Sequence, residues 1–220
     1  MIFPRGRQID GKGNNDRDKT EVMMELKTIA DLETAVKESM SELFGECREF
    51  KGVLRSLPEH LGVLDTGAIL EAAFESGINP EIPYPVLHFH VTLAKDIDDS
   101  IVPGVLAGLN DLNTAISAGA FPSFGCFGYY APLKQVYLSY RMPVNPDVLN
   151  EEYENIRYYL ATLYEQLDLF ADYIIFLCDD PDRMTFDDYM DYLDSIADLN
   201  NLEARIDALE KHVEELENKG

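Results

Sequence analysis

Apolar residues at Leu26, Ile29, Leu32, Val36, Met40 and Leu43 recur at steps of three and four. That spacing predicts an amphipathic helix over 21–44, with Gly45 as a natural stop. The stretch 50–64 is short and mixed, is broken by Pro58, and has room for one or two short strands. Residues 66–75 carry two signals. Thr66 ahead of an Ala-rich run favours a short helix by propensity, whereas Leu70, Ala72 and Phe74 alternating with Glu71 and Glu75 suit a strand. Val86–Leu93 is the clearest strand, being β-branched, aromatic and preceded by Pro83 and Pro85. A helix is predicted over 101–118, with Ile101, Val105, Leu109, Leu112 and Ile116 on its apolar face. Strands at 124–130 and 135–141 flank a turn-like Ala131-Pro132-Leu133-Lys134, which makes them a hairpin. A long helix follows Asn145-Pro146-Asp147 and keeps its spacing to Leu177, and a last helix begins near Thr185. Because strands and helices do not alternate strictly, the fold class expected is α+β, an antiparallel sheet of about five strands with helices on one face.

The last helix ends in a regular seam. Leu199, Leu202, Ile206, Leu209, Val213 and Leu216 are spaced 3, 4, 3, 4, 3, which is an a/d heptad pattern. β-Branched residues at a with Leu at d favour a parallel dimer, so these six are the candidate protein-interface residues, and a homodimeric coiled coil is expected. The same stripe could instead pack back on its own domain as a surface helix. Arg205 would face Glu210 of a second copy favourably, but Asp198 would face Glu203 unfavourably. From Asp179 onward 14 acidic residues stand against 4 basic ones, a local charge of −10 that opposes self-association at low salt.

Composition narrows the partners. The 220 residues carry 41 Asp and Glu against 18 Lys and Arg, a formal charge of −23. Affinity for nucleic acid and anionic lipid comes mainly from cationic side chains, so the expected partner is protein, another chain or a second copy, rather than nucleic acid or membrane. Cys47, Cys126 and Cys178 form no CxxC pair and no disulfide framework, and read as reduced, mostly buried thiols in the cytoplasm. No apolar run approaches the ~20 residues that span a bilayer. Residues 1–19 are polar and Gly/Asn-rich, and read as a disordered lead-in or as sequence upstream of a start at Met23 or Met24. The expected organisation is therefore lead-in at 1–19, an α+β domain at 20–178 and an acidic helical tail at 179–220.

Chemistry concentrates at His88-Phe89-His90-Val91-Thr92-Leu93. His88 and His90, two apart on a strand, share a face and could both hold a metal, yet no third ligand clusters with them. His90-Val91-Thr92 resembles half of the signature of the two-histidine phosphoesterases, in which paired His-x-Thr/Ser motifs supply a general base and a general acid. The second motif is missing, because His60-Leu61-Gly62 and His212-Val213-Glu214 lack the hydroxyl residue. There is no nucleophile elbow, phosphate loop or EF-hand calcium loop. The glycines of 119–128 enter a strand, where they suit a bulge or a close backbone contact. The sequence thus predicts no enzyme, no catalytic residue, no metal and no cofactor; a phosphoesterase using His90 and Thr92 is the alternative.

The middle of the chain resembles the YbjN-like family, which shares the fold of the type III secretion chaperones. The resemblance runs over about residues 85–177. It rests on the helix with Leu106-Ala107-Gly108-Leu109-Asn110-Asp111-Leu112-Asn113, the strand ending Phe127-Gly128-Tyr129-Tyr130, and a second strand Gln135–Pro143 with Arg141-Met142-Pro143 at its exit. It implies the order helix, three antiparallel strands, helix, two strands, helix, with residues 68–75 in a strand. It also implies a non-catalytic role as a chaperone-like or regulatory adaptor that holds other protein chains.

Overall fold

A computed structural model of the chain describes residues 26–76, 84–119 and 123–197. Up to Met184 these form one compact unit; the helix beyond Thr185 belongs to another, and each is described by itself.

The first unit runs α1 (Ile29–Phe44), β1 (Cys47–Phe50), β2 (Val53–Ser56), β3 (Ile69–Glu75), β4 (Val86–Ala94), α2 (Val102–Ser117), β5 (Cys126–Tyr130), β6 (Gln135–Pro143) and α3 (Leu149–Asp179). All six strands join one antiparallel sheet in the order β1-β2-β3-β4-β6-β5. The α+β class stands. The strand count rises from about five to six because 47–56 folds into a hairpin of its own. Its two turn residues, Lys51 and Gly52, both have positive φ, the geometry whose twist matches paired strands.

Residues 69–75 form a strand, so alternation prevails over alanine propensity. Leu70 and Ala72 are buried, and the strand pairs with β2 on one side and β4 on the other. Helix α1 starts at Ile29, with Leu26, Lys27 and Thr28 outside it, and residues 21–25 of the expected helix lie outside the described residues. Thr28 Oγ1 accepts the Asp31 N–H at 3.1 Å while the Asp31 carboxylate accepts the Thr28 N–H at 2.9 Å, a reciprocal cap that fixes the first turn.

Along β4, Leu87, Phe89, Val91 and Leu93 are buried and point one way; on β6, Val136, Leu138 and Met142 join them. Helices α1, α2 and α3 cover this face, with Leu32, Val36 and Met40 from α1, Val105, Leu109 and Leu112 from α2, and Ile156, Leu160, Leu163, Leu167 and Phe170 from α3 filling the core. The opposite face carries His88, His90, Tyr137, Ser139 and Arg141 in partly or fully exposed positions.

In the other unit a fourth helix, α4, is described over 186–197. Its start is fixed as expected: Thr185 Oγ1 accepts the Asp188 N–H at 3.2 Å, and the Asp188 carboxylate accepts the Thr185 N–H at 3.1 Å. The heptad residues Leu199, Leu202, Ile206, Leu209, Val213 and Leu216 lie outside the described residues, as does the lead-in.

Candidate functional site

The two ends of the sheet differ. At the β5 end, Asn113 of α2 reaches the outer side of the strand. Its Nδ2 donates to the Phe127 carbonyl at 2.8 Å and its Oδ1 accepts the Phe127 N–H at 2.9 Å. One side-chain amide thus occupies both outward backbone groups in mid-strand, as a neighbouring strand would.

Among the described residues the β1 end has no such plug. The pairs Arg48↔Arg55 and Phe50↔Val53 alternate with Cys47↔Ser56 and Glu49↔Leu54. Beside a two-residue turn the closing pair Phe50↔Val53 exchanges hydrogen bonds, so in the alternating antiparallel pattern the N–H and C=O of Cys47 and Glu49 point outward. Ser41 Oγ accepts the Cys47 N–H at 3.2 Å. No described residue bonds the Glu49 backbone on the outer side.

A groove of about 830 Å³ opens next to this edge, lined by Phe44, Phe50, Leu57, Leu61 and Tyr164 among others. Phe50 is 64% exposed and Leu57 57%, high values for large apolar side chains. Its charges are not balanced. Arg48 is held by Glu46 at 2.7 Å, and Arg55 Nε donates to Glu71 at 3.0 Å, whereas Glu49 and Glu59 have no ion pair among the described residues.

The groove wall is fixed from beneath. Asp172 on α3 is fully buried; its carboxylate accepts the Val63 N–H at 2.7 Å, the Leu64 N–H at 3.2 Å and the Thr66 hydroxyl at 2.9 Å. Asp168, one turn earlier, accepts the Gly62 N–H at 2.9 Å. Gly62 has φ +70 and a Cβ there would stand 2.6 Å from the Asp172 carboxylate, so both backbone and space require glycine. Pro58 accepts the Ala68 N–H, and Leu61 pairs with Thr66. The loop between β2 and β3 is therefore a braced surface for Leu57 and Leu61.

The residues singled out in the sequence divide as follows. His88 and His90 do share a sheet face, with ring centroids 6.1 Å apart. His90 stacks on Tyr137 at 5.3 Å; burial, then the nearby His88 and Arg141, hold its imidazole below the usual range, opposed by Glu71. Thr92 is buried, and its cross-strand neighbours are Ile69 and Tyr137; those of His90 are Glu71 and Ser139. No group of three His, Cys, Asp or Glu among the described residues could hold a metal ion. His60 is exposed beside Asp65 at 3.3 Å. Of the thiols, Cys47 is buried and Cys178 is pushed up to about 12 by burial, but Cys126 is exposed on the edge strand, against the expectation of mostly buried cysteines. No helix among the described residues is long and apolar enough to cross a membrane. Asn113, Asp172 and the edge at Glu49 were not visible in the sequence. The one available signal is Lys51-Gly52, a two-residue turn between short runs.

Comparison with protein-family models, with curated proteins and with solved structures gave no match.

Proposed function

We propose that this chain is a protein-binding module, chaperone-like or adaptor-like, that takes up an extended segment of a partner protein by strand addition at β1. The observation that carries the reading is the unplugged Glu49 edge beside the apolar groove. An added strand gains main-chain hydrogen bonds from the edge and specificity from side chains that enter the groove at every second residue. The unpaired Glu49 and Glu59, in a chain of charge −23, favour a segment in which apolar residues alternate with Lys or Arg. A reducing cytoplasm suits the exposed thiol of Cys126.

The test begins with a photo-cross-linking residue at position 50 in living cells and mass spectrometry of the adducts. Binding of the recovered segment, made as a peptide, is then measured calorimetrically to wild type and to Glu49→Pro. Proline deletes one outward N–H at an edge where the chain itself does not use it. The expected result is lost binding with nearly unchanged melting temperature. Adducts without a common segment, or undiminished binding by Glu49→Pro, refute strand addition.

We propose the heptad seam at 199–216 as a second surface, for self-association. Light scattering of the full chain and of a chain ending at Leu193 should show a heavier species only in the full chain, strengthened by salt that screens the tail charge. Equal monomer masses in both would refute it.

A further inference from the structure

The centre of the sheet, on the face opposite α1, α2 and α3, brings together three side chains that no sequence motif connects. Glu75 is on β3, His88 on β4 and Ser139 on β6. His88 Nδ1 lies 3.2 Å from Glu75 Oε1, and His88 Nε2 lies 2.9 Å from Ser139 Oγ. The order of donors is fixed by chemistry. An ionised carboxylate only accepts, so in the neutral imidazole Nδ1 carries the hydrogen and Nε2 is left as acceptor. Ser139 therefore donates its hydroxyl proton to Nε2, the orientation a serine needs for its proton to be taken by a base. Arg141 Nε stands 3.8 Å from the second oxygen of Glu75. The register holds the triplet rigidly: Ser139 faces His90, His88 faces Arg141, and Gly125 lies so close that a Cβ would be 2.6 Å from the Ser139 carbonyl. The side chains remain reachable, with Glu75 34% and His88 17% exposed.

We infer that Ser139 is an activated nucleophile that accepts a small acyl group from an activated ester, with His88 as its base and Glu75 as the positioning residue for His88. This site is on the open sheet face, separate from the β1 edge, and does not depend on partner binding there. In the step, Ser139 Oγ bonds to the acyl carbon, its proton passes to His88 Nε2, the ester C–O bond breaks to release the leaving group as a phenolate, and the imidazolium gives its extra proton to solvent. Water then attacks the acyl-serine, passing a proton to His88 Nε2; the acyl–Oγ bond breaks, that proton goes to Ser139 Oγ, and the acid is freed. The surrounding amides of β4, β5 and β6 belong to the β-ladder, so among the described residues no pair of backbone N–H groups awaits an oxyanion. That restricts the substrate class to esters whose leaving group departs as a stable anion, such as aryl esters.

The experiment treats the full chain with p-nitrophenyl acetate and maps the acetylated residue by peptide mass spectrometry, with p-nitrophenolate release followed in parallel. Acetyl on Ser139 is expected in the folded protein and not in urea. A positioned base contributes roughly 10²-fold or more, so His88→Gln should lower Ser139 acetylation by about that factor. Glu75→Gln should also lower it, and Glu75→Asp should restore part of the rate, which a merely structural role would not produce. Cys126→Ala, across from Ser139 on β5, should leave the labelling unchanged. Acetyl found only on lysines or on Cys126, or Ser139 labelling that is equal in urea or in folded His88→Gln, overturns the inference.

Discussion

The sheet ends in two edge strands that meet the same problem differently. At β5, Asn113 supplies from a helix the two hydrogen bonds that a seventh strand would make to Phe127. At β1, Ser41 satisfies only the entry at Cys47, and Glu49 keeps its backbone groups turned outward beside exposed Phe50 and Leu57. An unprotected edge next to apolar surface invites pairing, and proteins that retain one either use it or aggregate through it. The difference is therefore an argument about function. Closure at Phe127 shows that this fold has a means of plugging an edge, and the lack of one at Glu49 among the described residues is the ground on which we propose β1 as the partner site.

The largest expected effect comes from undermining the β1 side. Asp172→Ala removes the acceptor for two backbone N–H groups and the Thr66 hydroxyl in the loop that walls the groove. Unsatisfied buried donors cost about 1–3 kcal/mol each, so a loss of roughly 3–5 kcal/mol is expected, read from urea unfolding. Partner binding at β1 should weaken under conditions where the variant is still folded. An unchanged unfolding midpoint would mean that α3 does not brace this loop.

A smaller effect, but the one that tests the comparison most directly, is expected at β5. Asn113→Ala releases the Phe127 N–H and carbonyl together. Stability should fall by about 2 kcal/mol, and the freed edge should make the protein self-associate at concentrations where wild type does not. Sedimentation of the two proteins checks this. If Asn113→Ala stays as dispersed as wild type, the plug is not what closes that end.

How much of this could be read from the sequence depends on the range over which each interaction acts. Strand β4, helix α2 and the 126–143 hairpin follow from local patterning and lie within about two residues of where the pattern puts them. The strand at 69–75 is legible as alternation, although its alanines favour a helix, and only pairing with β2 and β4 on both sides decides it. The hairpin at 47–56 is too short for periodicity to show, so one strand escapes the count. The shared face of His88 and His90 follows from their spacing of two. Glu75 and Ser139, by contrast, come to His88 only through the β3–β4 and β4–β6 register, which depends on the assembled sheet. Asn113 and Asp172 read as ordinary polar helix residues, because their partners belong to a strand and a loop brought up by tertiary packing.

The smallest expected effect separates the sheet centre from both edges, through pH. His90 is held below the usual imidazole range by burial first, and then by His88 and Arg141, while Glu71 on β3 pulls the other way and Tyr137 stacks on the ring. In the unfolded chain the same histidine titrates near about 6.5. Between its lowered folded value and that point the unfolded chain binds a proton that the folded chain refuses, so folding stability rises with pH across this window. On acidification the loss therefore starts as pH drops below about 6.5 and levels off once the folded imidazole is itself protonated. Replacing the ring by His90→Gln removes this contribution. The melting temperature of wild type should fall more steeply than that of His90→Gln over the same acid step, while Glu49→Pro and Asn113→Ala, which leave the sheet centre intact, should keep the wild-type slope. Equal slopes for wild type and His90→Gln would show that burial on the open face does not disfavour the charged ring.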